Sequence, residues 1–177
     1  MKKYLILAVL AIAAAGLAAC AGGHYGHDHD HDHGHSHSAA ELPAAKADSV
    51  IKYISDISPY QNWDLWPGKG KLYEGQHPHG AFLTTYVNES AAKALKNKAG
   101  ELPPGAIVVK ENYTPEKKLA AVTVMYKKAG YDPAAGNYYW LKYAPDGTVQ
   151  KSGKVDGCIN CHQSVKGNDW LFTGPIK

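Results

Sequence analysis

The stretch Gly105-Ala-Ile-Val-Val-Lys-Glu-Asn-Tyr-Thr-Pro-Glu-Lys-Lys-Leu-Ala-Ala-Val-Thr-Val-Met-Tyr-Lys127 decides the fold class. Two runs rich in β-branched side chains flank a Thr-Pro-Glu turn, which predicts antiparallel strands over 105–113 and 119–127. Side chains alternate faces along a strand, so Ala121, Thr123 and Met125 share one face. Towards the C-terminus, turns at Tyr131-Asp132-Pro133 and Gly136-Asn137 precede a strand over 138–143. Pro145-Asp146-Gly147 then turns into a short strand over 148–151. Towards the N-terminus, 81–87 reads as a strand. Asn88 caps a helix over 89–99, with Gly100 at its C-terminal end. Residues 59–80 are irregular and hold Trp63, Trp66, Pro67 and a His77-Pro78-His79-Gly80 turn. Residues 44–56 read as a helix with Ala47, Val50, Ile51 and Ile54 on one face. The expectation is an α+β domain, mainly antiparallel sheet, flanked by a few helices. No internal repeat is visible.

The domain is expected to span residues 42–177, and what precedes it has a different character. Residues 1–20 read as an export signal: Lys2 and Lys3, then an apolar stretch from Tyr4 to Leu17 that is short for a membrane-spanning helix. It closes with Leu17-Ala18-Ala19-Cys20, which looks like a lipobox. Cys20 is then the lipidated N-terminus and the link to the membrane. Ala21 after it favours the periplasmic side of the outer membrane in bacterial sorting. Residues 21–41 are of low complexity and read as a disordered tether. His24, His27, His29, His31, His33, His35 and His37 alternate there with Asp28, Asp30 and Asp32. Imidazole and carboxylate suit zinc, nickel or copper, and a flexible chain can wrap any of them. The alternative is a plain hydrophilic spacer.

Composition narrows the partners. The formal net charge is +3, and losing Lys2 and Lys3 with the signal lowers it to +1. Every basic side chain other than histidine is lysine. A nearly neutral chain argues against nucleic acid, which needs a concentrated basic face. The 12 Tyr and 4 Trp suggest a core built with aromatic plates.

Cys158-Ile159-Asn160-Cys161-His162 carries the chemistry. Two thiols three positions apart can add across the two vinyl groups of one porphyrin. The histidine directly after them can reach the iron as the proximal ligand, the pattern of covalent haem c. A redox dithiol should follow a strand in a βαβ unit, which is absent here. A zinc site wants more ligands nearby, and there is no second cysteine pair. Export fits haem as well, since bacteria attach c-type haem outside the cytoplasm. With Cys20 assigned to lipid, no pair is left for a structural disulfide.

The other side of the iron decides function. A sixth protein ligand makes an electron carrier, and an open position makes a small-molecule site. Met125, His77 and His79 are the domain's candidates. For Met125 the competing reading is core packing, and for the histidines it is a pocket lining or a surface turn. A late haem motif with Met125 before it departs from small helical electron-transfer cytochromes. The strand-rich middle departs from four-helix haem bundles.

Several stretches together resemble the cytochrome P460 family, which includes the β-sheet form of cytochrome c-prime. They are Thr85-Tyr86-Val87-Asn88, Gly105-Ala106-Ile107-Val108-Val109-Lys110-Glu111, Gly136-Asn137-Tyr138-Tyr139-Trp140 and Tyr143-Ala144-Pro145-Asp146-Gly147. The haem motif and Asp169-Trp170-Leu171-Phe172-Thr173 complete the set, which spans about 63–173. The resemblance implies a mainly antiparallel β haem domain, often a homodimer, with five-coordinate iron that binds nitric oxide or related nitrogen species. In the P460 enzymes proper a strand lysine is joined covalently to the haem and the protein oxidises hydroxylamine. Lys110 falls on that position. Its plainer reading is a solvated lysine or a partner for a haem propionate.

One departure stands out. On this resemblance Leu83 stands at the position of the family's distal arginine, and this chain has no arginine. Leu83 with Phe82, or with Ala81 if the face is shifted, would make an apolar distal wall. Such a wall admits nitric oxide and carbon monoxide and disfavours anions. No general base stands out beyond His79 or Glu111. The expected function is therefore capture of a small nitrogen species at an open haem iron. Hydroxylamine oxidation through a Lys110–haem link and electron transfer to a redox partner are the alternatives.

Overall fold

The computed structural model describes residues 41–177. The signal segment, Cys20 and the histidines from His24 to His37 lie outside the described residues. Among the described residues there are seven strands and three α-helices. The strands are β1 (Asp64–Leu65), β2 (Tyr73–Glu74), β3 (Phe82–Val87), β4 (Ile107–Tyr113), β5 (Leu119–Lys127), β6 (Tyr138–Tyr143) and β7 (Val149–Gly153). The helices are α1 (Ala47–Lys52), α2 (Glu89–Lys96) and α3 (Asp156–His162). Strands β3 to β7 pair in chain order, all antiparallel, while β1 and β2 both pair with the outer side of β3. The expected α+β class and the strand at 119–127 agree with this sheet.

The departures are local. The 44–56 helix is shorter: α1 stops at Lys52 and runs into a π-helical turn, Tyr53–Ile57. The 89–99 helix ends at Lys96, because Lys98 already has φ of 51° and cannot continue it. Residues 59–80, expected to be irregular, contribute the two short edge strands. The haem-motif residues themselves form α3.

Alternation gives the sheet two unlike faces. On one, Thr85, Lys110, Thr123, Lys142 and Lys151 lie abreast, beside a row of Val108, Met125 and Trp140. On the other, Tyr86, Val109, Val124 and Leu141 lie abreast, beside Thr84, Glu111, Val122 and Tyr143. Val50 and Ile54 of the first helical segment are fully buried against this second face. Each such side chain contributes roughly 1.5–3 kcal/mol by leaving water.

Helix α2 starts where expected. Asn88 Oδ1 accepts from Ala91 N at 3.2 Å and also from Ile107 N at 3.0 Å, so one side chain caps the helix and fixes it to β4.

Glu111 is buried on the α1 side of the sheet, where it accepts from Tyr60 Oη at 2.9 Å and Tyr113 Oη at 2.7 Å. Burial, with Glu111 next, pushes the Tyr86 hydroxyl up to about 12. A hydrogen bond to a carboxylate contributes roughly 1.5–3 kcal/mol. Tyr60→Phe should therefore lower unfolding free energy by about that amount in urea titration. An unchanged midpoint would show that the bond adds nothing.

Candidate haem site

Helix α3 is short, but it places its chemistry well. Residues three and four apart are neighbours on a helix, so Cys158 has both Cys161 and His162 beside it. Val155, Cys158 and Ile159 pack on the aromatic cluster of Ala135, Tyr138, Trp140 and Trp170, which sets the helix against the sheet's first face. Cys161 is exposed and Cys158 half-buried, and burial raises the Cys158 thiol pKa.

His162 is 7% exposed, and its Nδ1 lies 2.7 Å from the carbonyl oxygen of Trp170. A carbonyl only accepts, so Nδ1 carries the proton and Nε2 keeps its lone pair. This is the arrangement that orients a metal-binding imidazole. Its pKa is lowered, first by burial, with the Trp170 bond opposing and Lys110 reinforcing the shift.

The accepting carbonyl is presented by unusual backbone. Asp169 and Trp170 both take positive φ, 51° and 65°, a conformation that is rare for a bulky side chain. The surroundings hold it there. Asp169 accepts from Leu102 N at 2.7 Å and from Tyr138 Oη at 2.8 Å, and it is paired with buried Lys127. The Trp170 ring packs so close to Gly136 that a Cβ there would come within 2.6 Å of it.

Beside α3 lie two compartments of ≈ 440 and ≈ 370 Å³, which share His79, Lys110, Cys161, His162 and Phe172 in their walls. Both volumes fall within the roughly 300–1,000 Å³ of ligand sites. The larger is lined by Val108, Met125, Trp140 and Leu171 together with Cys158. Leu83 lines the smaller one. Phe82 does not join Leu83: adjacent strand residues point to opposite faces, and Phe82 lies under the Lys117 amine instead. Of the two residues expected to share an apolar distal wall, Leu83 lines a compartment beside α3 and Phe82 lines neither. The same alternation removes Glu111 as a base for this cavity, because it lies on the opposite face from Lys110. His77 is exposed at the edge of the smaller compartment, and Met125 lies in the wall of the larger one.

Lys110 lies in both walls, and burial holds its amine down at about 8. His79 is held down at about 4, first by burial and then by Lys110. Its Nδ1 is 2.9 Å from Asn112 Oδ1. Asn112 escaped the sequence reading, since an asparagine within a strand carries no local signal of its partner.

The residues present fit a haem. Apolar walls suit a porphyrin, the thiols and imidazole suit its attachment, and Trp140 adds a donor. Its indole N–H is buried with no acceptor among the described residues and stands beside His162, with ring centroids 4.7 Å apart. Such a donor suits a bound group that brings acceptor oxygens, as haem does with its carboxylates. Among the described residues no group of three or more His, Cys, Asp or Glu is placed to hold a bare metal ion.

Fold and site together define a single-sheet α+β protein with a thiol- and imidazole-lined cavity on one face of the sheet. The chain belongs to the cytochrome P460 family, whose profile it matches over residues 58–173. Membership implies haem binding. No curated protein matches the chain.

Proposed function

We propose that this protein is a monohaem c-type cytochrome that captures nitric oxide or a related small nitrogen species at its haem iron. The observation that carries this reading is His162, a buried imidazole with Nδ1 committed to Trp170, in one wall with two thiols three residues apart. Cys158 and Cys161 would hold the porphyrin by thioether bonds and His162 the iron. Bound there, haem supplies an iron that binds diatomic ligands and exchanges single electrons. The chain's own residues bind and shield it: Val108, Met125 and Leu171 exclude water, and Leu83 keeps its part of the smaller compartment apolar.

The protein is tethered by lipid on Cys20 to the periplasmic face of the outer membrane, and it pairs as a homodimer. The tract over 21–41 offers imidazoles to zinc, nickel or copper. Hydroxylamine oxidation is supported only by the Lys110 amine in the cavity wall. Electron transfer gains support from the position of His79.

The test is the full chain made in a host that attaches c-type haem. The mature protein is expected to be coloured, to carry the mass of lipid plus one haem, and to change its absorption spectrum when nitric oxide is added. Colourless protein of bare polypeptide-plus-lipid mass would end the proposal. Haem peptides joined only through Cys158 and Cys161 would remove the Lys110 cross-link, and Lys110→Leu should then leave attachment intact.

A further inference from the structure

Two imidazoles, not one, face this cavity with the same chemistry. His162 has Nδ1 committed to a backbone carbonyl, and His79 has Nδ1 committed to Asn112 Oδ1. The orientation of the Asn112 amide is fixed. Its Nδ2 donates to the carbonyls of Lys110 at 2.9 Å and Ala121 at 3.2 Å, and these only accept. Oδ1 is therefore the atom turned to His79, with Gly80 N also near it at 3.4 Å. It follows that His79 Nδ1 carries the proton and Nε2 the lone pair, as in His162.

The spacing of the rings is informative. An imidazole nitrogen sits about 2.0–2.1 Å from a first-row metal such as zinc, and about 1.1 Å from the centre of its own ring of ~1.33 Å bonds, so two imidazoles on opposite sides of one ion have centroids about 6.2–6.4 Å apart. The His79 and His162 centroids are 6.3 Å apart, with ring planes at 86°. The other rings beside His162, those of Trp140 and Phe172, stand closer to it, at 4.7 and 5.1 Å. Both histidines line both compartments.

We infer that His79 is the second axial ligand of the haem iron, opposite His162, and that Asn112 is the residue that positions it. The inference rests on the haem reading above and alters its resting state. The iron is closed by protein on both sides, and a diatomic ligand enters only by displacing His79. Apart from that exchange, a six-coordinate iron serves electron transfer.

The experiment uses the full, haem-loaded protein. With no added ligand, the ferric form should be low-spin by absorption and electron paramagnetic resonance. Histidine labelled with nitrogen-15 should reveal two coordinated imidazoles by pulsed resonance. His79→Ala should become high-spin, and free imidazole should restore the low-spin spectrum. Asn112→Leu should keep haem attached but give a mixture of spin states. The observed rate of carbon monoxide binding to ferrous protein should level off at high ligand concentration in the wild type and stay proportional to it in His79→Ala. A high-spin wild type, or one coordinated imidazole, overturns the inference while leaving the haem reading intact. Low-spin His79→Ala without imidazole also overturns it and points to Lys110 or Met125. Protein without thioether-bound haem overturns both. The labelled wild type decides the matter even if His79→Ala does not fold.

Discussion

Asp169→Ala should lower unfolding free energy by about 3–5 kcal/mol, because it leaves the Lys127 ammonium buried without its counter-charge. Both residues are only 7% exposed, so water cannot replace the lost carboxylate without opening the structure. The same carboxylate also receives Leu102 N and the Tyr138 hydroxyl, and these donors would be stranded too. The effect should reach the site. Asp169 holds the positive-φ turn that aims the Trp170 carbonyl at His162, so the imidazole loses its anchor. Denaturant unfolding measures the loss. The paired change Lys127→Met with Asp169→Asn should recover more than half of it, since no charge is then buried alone. A loss in Asp169→Ala below about 1 kcal/mol would show that the pair is not stabilising, the ordinary result for exposed ion pairs.

Gly80→Ala is expected to cost about 1–3 kcal/mol, by overpacking against atoms that cannot step aside. A Cβ at this position would lie 2.4 Å from both the backbone nitrogen and the backbone oxygen of Tyr113, at the end of β4. Gly75 faces the same turn from the other side, where a Cβ would come within 2.0 Å of the Gly80 carbonyl oxygen. Two bare backbones therefore clamp the segment 75–80 onto the sheet, and His79 is carried on it. Gly70→Ala is the control: nothing lies within 4 Å of its Cβ, and its stability should not fall measurably. Equal unfolding midpoints for Gly80→Ala and wild type would mean that the turn lifts away freely.

Local physics made much of this protein legible. A run such as Leu-Ala-Ala-Val-Thr-Val-Met-Tyr-Lys can satisfy its side chains only on a sheet, and β5 begins and ends where that pattern does. Asn88 announced a helix start because its short side chain bonds to the backbone just ahead of it. The haem motif was legible for a similar reason: Cys158, Cys161 and His162 sit within one helical turn, so spacing alone places them together.

What failed to show was whatever depends on the far end of a side chain. Phe82 and Leu83 are equally apolar, and only the pairing of β3 with β4 decides that Leu83 meets the cavity and Phe82 does not. Glu111 follows Lys110 directly, yet alternation sends it into a tyrosine cluster on the other face.

From the residues alone came the sheet, the haem-attachment motif and the family. The sheet and the motif follow from periodicity and close spacing, which act over a few bonds, and the family follows from the resemblance of several stretches taken together. The tertiary structure decided how the two histidines stand. His79 and His162 are 83 positions apart in the sequence. Their tautomers are set by an asparagine on β4, 33 positions from His79, and by a carbonyl on a strained C-terminal turn, eight positions from His162. A proton's place on an imidazole is fixed by what its nitrogen touches, and in this chain those contacts exist only once the sheet has formed.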